Sequence, residues 1–198
     1  CPSVIRQGTL PVMNSIAKPG WAFTVFNVVG FQIVWLLSVI GASRGYWLPG
    51  FLTALLYAGI VLKLSPDRRR DIRTAAIALP IGFLMDSLLA YSPVLNFSSP
   101  FPSIHWAPAW IMALWIGFTF TLNHSLNTIY SKPLYLFLFG FLGGPLAYFI
   151  AAQRFQAMFF ESGIAVCLLT VAVVWGLGLS LIRWIDVAWT ERTVGAGA

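Results

Sequence analysis

Long apolar runs alternate with short polar segments along the chain, and each run is close to the length that crosses a bilayer. A transmembrane helix needs about 20 predominantly apolar residues. The runs predict six spans, at residues 21–42, 46–64, 74–95, 106–130, 134–152 and 163–182. The pattern therefore predicts an all-α, polytopic transmembrane helical bundle over residues 21–184, between an amino-terminal arm at 1–20 and a polar tail at 185–198.

Composition excludes an ordinary soluble domain, because 59% of the residues are hydrophobic and only 9% are charged. Soluble domains carry about 25% charged residues. The formal charge of +6 does not indicate nucleic-acid binding, since the basic residues lie between apolar runs and form no solvated face. With six spans and a cytoplasmic amino terminus, only Arg44 and Arg154 of the 12 Lys and Arg lie outside. The positive-inside rule therefore predicts that both termini are cytoplasmic.

The densest run of charges, residues 65–73, lies between the second and third predicted spans and is interpreted as a solvated loop. The two cysteines are too few for a disulfide framework, and Cys167 lies in an apolar stretch where it packs as a small hydrophobic residue. Cys1 stands where a start Met is expected, so we expect the sequence to be a fragment or to have lost a leader.

Polar residues inside the predicted spans are the candidate functional positions. Asp86 lies deep in an apolar run, where a carboxylate is costly. From a rise of about 1.5 Å per residue, Gln32 lies at a similar depth, whereas Asn27, Asn123 and His124 lie nearer the cytoplasmic side. The sequence thus predicts two layers of polar side chains, and these five residues form the predicted ligand-binding set.

Asp86 is predicted to face other helices, because Gly82, Asp86 and Ala90 are spaced by four and form a stripe of small residues. No Lys or Arg lies at the same depth, so desolvation favours the neutral acid. We predict that Asp86 is protonated or hydrogen-bonded to Gln32. An infrared titration that shows it ionised at pH 7 would refute this prediction.

No metal or cofactor is expected, because two isolated histidines and two distant cysteines supply no usual ligand set. The sequence also has no nucleophile elbow, phosphate-binding loop or paired carboxylates. Asp86 and His124 are the candidate catalytic residues. Interhelical polar residues can instead be structural, contributing about 0.6 kcal/mol per contact.

Three functions remain open for such a chain. We favour binding or transport of a small or amphipathic ligand in a polar cavity within the lipid bilayer. The second is a membrane-embedded enzyme that modifies a lipid or isoprenoid, with Asp86 or His124 moving a proton. The third is a scaffold or partner subunit of a membrane-protein complex, which needs no chemistry. Replacing Asp86 by Asn separates proton transfer from a structural role.

Four segments of the sequence resemble a known bacterial family. They lie at residues 27–32, 106–115, 120–126 and 140–148, and the Asn-His-Ser and Gly-Gly-Pro-Leu-Ala-Tyr blocks are the most specific. With these blocks the chain resembles the domain-of-unknown-function family numbered 2878, over roughly residues 21–182. The resemblance implies a small polytopic protein of the bacterial inner membrane, without an assigned activity or catalytic residue. One departure is residues 151–156, where the resemblance leads us to expect a more Gly-rich turn.

Overall fold

This computed structural model describes residues 20–195 of the chain, which form seven helices and two short strands with their connecting segments. The helices are α1 (Trp21–Ser43), α2 (Leu48–Leu64), α3 (Arg68–Tyr91), α4 (Ala109–Leu122), α5 (Asn127–Tyr130), α6 (Pro133–Phe155) and α7 (Ile164–Gly195). The strands are β1 (Leu95–Phe97) and β2 (Met158–Phe160). The predicted all-α class is confirmed. The predicted arm at 1–20 lies outside the described residues, apart from Gly20.

Four of the described helices, α1, α3, α6 and α7, are long and apolar enough to cross a membrane. Helices α2 and α4 are also apolar but have only 17 and 14 residues. Large apolar side chains are exposed on the outside of the bundle, among them Val29, Leu142 and Leu169. Such a surface is stable in lipid and costly in water. The structure is therefore an all-helical protein with four candidate membrane spans.

Helix α4 lies inside the bundle, where it contacts α1, α2 and α3. Helix α6 packs mainly against α7, and small residues allow the two helices to approach closely. A Cβ atom on Gly140 would lie 2.6 Å from the carbonyl oxygen of Trp175, and one on Gly144 would lie 2.7 Å from the Trp175 ring. Larger residues at these two positions would force α6 and α7 apart.

The interpretation of residues 65–73 as a solvated loop is wrong from Arg68 onwards. Helix α3 begins there because the Asp67 side chain accepts a hydrogen bond from the Arg70 N–H at 3.0 Å, which caps the first turn. One turn later Asp71 lies on the inward face of the helix and is only 3% exposed. The charge run therefore contains a buried carboxyl group as well as solvated arginines.

The fourth predicted span, residues 106–130, is divided in the structure. Helix α4 begins after Pro108 and ends at Leu122, and a turn leads from Asn123 to the short helix α5. The backbone N–H groups of His124 and Leu126 both donate to the carbonyl of Thr121, which closes this turn. As a result, the side chains that follow α4 point across the bundle towards α1 and α3.

Strands β1 and β2 form an antiparallel pair that joins the segment after α3 to the segment after α6, with Asn96 opposite Phe159. The buried ring of Trp110 packs edge-on against Phe97 of β1, and Met158 of β2 is buried beside them. The strand pair therefore covers the end of the bundle where α4 begins. At the other end, α7 continues as a helix through residue 195, and Asp186 in the predicted tail is 4% exposed.

Candidate functional site

Asp86 lies fully buried between three helices. Its Oδ2 accepts a hydrogen bond from the Trp115 Nε1–H of α4 at 2.6 Å, and its Oδ1 accepts one from the Tyr148 hydroxyl of α6. Gly82, one turn earlier on α3, makes room for the indole, because a Cβ at that position would overlap the Trp115 ring. The small-residue stripe thus faces protein as predicted. Of the two predicted alternatives, the hydrogen bond to Gln32 is wrong, because the two hydrogen bonds of the carboxyl group come from Trp115 and Tyr148. The predicted protonation of Asp86 stays a prediction.

Aromatic rings surround the Asp86 carboxyl group. Trp175 of α7 stacks on Trp115 with ring centroids 4.9 Å apart, and it meets Tyr148 nearly edge-on at 6.0 Å. The Trp175 Nε1 atom is buried and makes no hydrogen bond to the described residues. The carboxyl group is therefore held by two donors in an otherwise apolar cage, the kind of environment in which a polar group needs each of its partners.

A cavity of about 380 Å³ reaches this cage from between α1 and α6. Small-molecule pockets in proteins have volumes of about 300–1,000 Å³, with mostly apolar walls and a few placed polar groups. Here the polar groups are Asp86, Tyr148 and Gln32, and the remaining walls are aromatic, aliphatic or glycine residues: Phe31, Trp35, Trp110, Ile111, Leu114, Trp115, Phe118, Phe139, Gly143, Gly144, Leu146, Ala147, Ile150, Ala151, Met158 and Trp175.

The cavity opens on the side of the bundle. Gln32 of α1 and Leu146 of α6 line it and are both exposed. Helices α1 and α6 make few contacts with each other, and both are candidate membrane spans. The opening therefore lies between two helices whose outer surfaces are apolar, with Asp86 at the inner end.

A second cluster, which we call the polar base, lies at the start of α3. Asp71 accepts hydrogen bonds from Asn123 Nδ2 at 3.1 Å and pairs with His124 Nε2 at 2.9 Å. Thr74 Oγ1 also accepts from Asn123, at 3.0 Å. The side chains of His124 and Asp71 are 4% and 2% exposed, and the ring of Phe23 packs edge-on against the imidazole. Protein groups therefore enclose the Asp71–His124 pair and shield it from solvent.

Asn27 of α1 also belongs to the polar base, and all of its polar atoms are occupied. Its Nδ2 donates to the Tyr57 hydroxyl at 2.7 Å and to the Phe120 carbonyl at 2.9 Å. Its Oδ1 accepts from both the hydroxyl and the backbone N–H of Ser125, at 2.6 and 3.2 Å. An amide makes at most about four such bonds, so Asn27 joins α1, α2 and the end of α4 and has no capacity left for a ligand.

The five predicted ligand-binding residues therefore divide into two groups. Gln32 and Asp86 line the cavity, whereas Asn27, Asn123 and His124 lie in the polar base. The two regions are about 22 Å apart along α3, since fifteen residues at about 1.5 Å each separate Asp71 from Asp86. The structure does not bring the candidate catalytic residues Asp86 and His124 together.

Sequence reasoning missed Asp186, a further buried carboxyl group next to the polar base. It accepts from Arg73 Nε at 2.8 Å and from the Tyr130 hydroxyl at 3.0 Å. Burial raises the pKa of Tyr130, and the neighbouring carboxylate raises it further, so the phenol stays protonated and donates. Within residues 20–195, no three His, Cys, Asp or Glu side chains lie together in a way that could hold a metal ion.

Comparisons with known proteins place the chain in a family but assign no chemistry. The profile of the family described as "Protein of unknown function (DUF2878)" matches residues 24–181. This segment contains the cavity and the polar base, and it ends before Asp186. No curated protein and no solved structure matches the chain. The function therefore has to be inferred from the geometry of the site.

Proposed function

Because the chain belongs to this family of proteins of unknown function, we propose its role from the cavity: it is a six-span protein of the bacterial inner membrane that binds a small, largely apolar ligand from the bilayer. The observation that carries the proposal is a cavity that opens between two apolar helices and ends at a buried carboxyl group. An apolar opening favours molecules dissolved in lipid, and the carboxyl group offers one polar contact that orients them.

Contacts at the polar base support six alternating spans. Asn27, near the start of α1, bonds to Tyr57 in the second half of α2 and to Phe120 near the end of α4. Asp71, near the start of α3, pairs with His124 just after α4. Successive long helices therefore run in opposite directions, and α2 and α4 pass through the same layer as the four longer helices although they are shorter.

Charge supports a cytoplasmic position for the polar base. The arginines at the start of α3, together with Lys63, Lys132 and Arg183, lie at this end of the bundle, whereas Arg44 and Arg154 lie at the opposite end, where α1 and α6 finish. Lys and Arg are retained on the cytoplasmic side during insertion. On this proposal both termini are cytoplasmic, and the strand pair lies on the outer side.

Asp86 and Tyr148 supply the polar contact to the ligand. When Asp86 carries its proton, as the sequence predicts, its O–H can donate to the Tyr148 oxygen. The phenolic hydrogen then needs another acceptor, and the cavity is the space next to it. A ligand with one carbonyl, ether or hydroxyl oxygen on an apolar body would satisfy this hydrogen, because buried donors without partners cost about 1–3 kcal/mol.

Filling the cavity tests the proposal directly. A Cβ on Gly143 meets only the Phe139 ring, at 4.0 Å, so Gly143→Leu extends a side chain into the cavity with little strain. Gly59→Leu is the matched control, because Gly59 lies on α2 with open space around it. We expect native mass spectrometry of gently extracted protein to show a co-purifying small molecule in the wild type and the control, and none in Gly143→Leu.

Tyr148→Phe tests the polar contact separately, because it removes the hydroxyl group that donates to the ligand and keeps the ring. We expect this variant to fold and to retain about tenfold less of the co-purifying molecule, since one good hydrogen bond contributes about 1.4 kcal/mol. Equal occupancy in the wild type and Gly143→Leu contradicts ligand binding in the cavity. A stoichiometric protein partner, with no small molecule in any variant, would favour a scaffold.

A further inference from the structure

A second cavity, separate from the Asp86 site, lies at the end of the bundle between the first turns of α3 and the last turns of α7. Its volume is about 1130 Å³. Four arginines line it: Arg69, Arg70, Arg73 and Arg183. The carboxyl groups in its wall are Asp67, Asp186 and Glu191, so the lining carries an excess of one positive charge. From this arrangement we infer that the cavity binds a phosphate group, from an anionic lipid headgroup or from a free phosphate compound.

Two of the four guanidinium groups are already fixed by hydrogen bonds to neighbouring protein groups. Arg183 donates through Nε and Nη2 to the carbonyls of Tyr130 and Ser131, at 2.9 and 3.0 Å. Arg73 donates through Nε to Asp186 at 2.8 Å. Both Nη groups of Arg73 and the Nη1 group of Arg183 make no hydrogen bond to the described residues. Donors that are already oriented lose less entropy when they bind an anion.

The other two arginines, Arg69 and Arg70, are held less tightly by hydrogen bonds to the described residues. Arg69 is exposed and makes no hydrogen bond or ion pair within residues 20–195, and Arg70 makes one long bond, 3.3 Å, to Asn127 Oδ1. Two of the three carboxyl groups are already engaged, because Asp186 is bound by Arg73, and Asp67 caps α3. The guanidinium fork matches phosphate oxygens geometrically. Basic pockets between membrane helices near the bilayer surface bind anionic headgroups for this reason.

The test uses the full chain in mixed micelles, with bound lipid counted by native mass spectrometry. Dioleoyl phosphatidylglycerol is compared with dioleoyl phosphatidylcholine, and we expect the wild type to retain at least about twenty-fivefold more of the anionic lipid. The variant Arg69→Gln should lose about fivefold of this binding, and Arg69→Gln with Arg70→Gln about twenty-fivefold, since each arginine near an anionic surface contributes about fivefold. Arg69 is exposed and makes no hydrogen bond or ion pair within residues 20–195, so its replacement should leave the fold intact.

Matched controls distinguish a specific phosphate site from a general attraction between positive charge and anionic lipid. Arg44→Gln with Arg154→Gln removes the same charge from two exposed positions at the other end of the bundle and should change binding less than about twofold. Arg69→Lys with Arg70→Lys keeps the charge but not the guanidinium fork, and it should bind less than the wild type and more than the glutamine pair. Equal losses in the Arg44/Arg154 and Arg69/Arg70 glutamine pairs, or no preference of the wild type for the anionic lipid, overturn the proposal.

A second experiment distinguishes a lipid headgroup from a soluble phosphate compound as the bound group. Inorganic phosphate at millimolar concentration is added to the protein with bound phosphatidylglycerol. Displacement of the lipid shows that the cavity takes the phosphate group of soluble compounds as well. Lipid that stays bound to the wild type, with the losses described above in the glutamine variants, assigns the site to the lipid headgroup. Either result supports a phosphate site between α3 and α7.

Discussion

Helix α3 carries two buried carboxyl groups whose surroundings differ. Asp71, near its first turn, is bonded to Asn123 and His124 in the turn after α4, and Asn123 also donates to Thr74. Asp86, fifteen residues later, has two aromatic donors and borders on a cavity. Burial is equally deep at both positions, so burial alone does not distinguish a structural carboxyl from a binding one. The cavity beside Asp86 is the difference on which the proposed binding role depends.

The largest effect on stability is expected at Asp71. Asp71→Ala removes the partner of His124 and one acceptor of Asn123, and breaking such a buried pair costs about 3–5 kcal/mol. Equilibrium unfolding in mixed micelles with increasing sodium dodecyl sulfate measures this loss. Asp67→Ala on the same helix is the control and should cost about 1 kcal/mol, the usual contribution of a helix cap. A cost at Asp71 no larger than the cost at Asp67 would mean that the polar base contributes little to stability.

A smaller loss is expected where α3 meets the Trp115 ring. Gly82→Ala places a methyl group where the indole lies, and overpacking of this kind costs about 1–3 kcal/mol. The indole must also move away from Asp86, so its fluorescence should change. Gly59→Ala, on an open helix surface, should instead gain about 0.5–1 kcal/mol of stability, because alanine is favoured over glycine in a helix. If the two variants unfold alike, α3 and α4 are less closely packed than described here.

The smallest effect on stability is expected at Asp86 itself. In Asp86→Asn the side-chain oxygen can accept from Trp115 while the amide nitrogen donates to the Tyr148 oxygen, because a phenol both donates and accepts. The loss should stay below about 1 kcal/mol in the same unfolding experiment. A loss as large as that of Asp71→Ala would show that Asp86 is structural, and the contrast between the two carboxyl groups would disappear.

The long helices could be predicted from the sequence because apolar runs of membrane length have few alternatives. The inward orientation of Asp86 could be predicted as well, from the Gly82 spacing. Its partners could not, because Trp115 and Tyr148 count as apolar in a hydropathy pattern although each carries a donor. Depth in the membrane favours Gln32 as the partner of Asp86. Depth does not, however, determine which helix faces contact each other.

The buried carboxyl groups at the polar base were harder to predict. Asp71 lies in a run of charges, and such runs are usually solvated. Its burial depends on a helix that begins earlier than the apolar run and on a break after α4. Asp186 depends on contacts with Thr74, 112 residues away in sequence. Local patterns do not contain such contacts, although helical spacing shows that Asp71 and Thr74 share a face.

The order of the partners along the chain has a consequence for biogenesis. Asp86 is synthesised 29 residues before Trp115 and 62 residues before Tyr148. Helix α3 also has the lowest mean hydropathy of the four candidate spans, 1.5 against 1.8–2.4. An Asp near the centre of an inserting helix costs about 3 kcal/mol. A nascent chain that inserts its helices in order holds this carboxyl group without Trp115 until α4 emerges from the ribosome and without Tyr148 until α6 emerges. The timing of synthesis therefore helps to decide when α3 is stably inserted in the membrane.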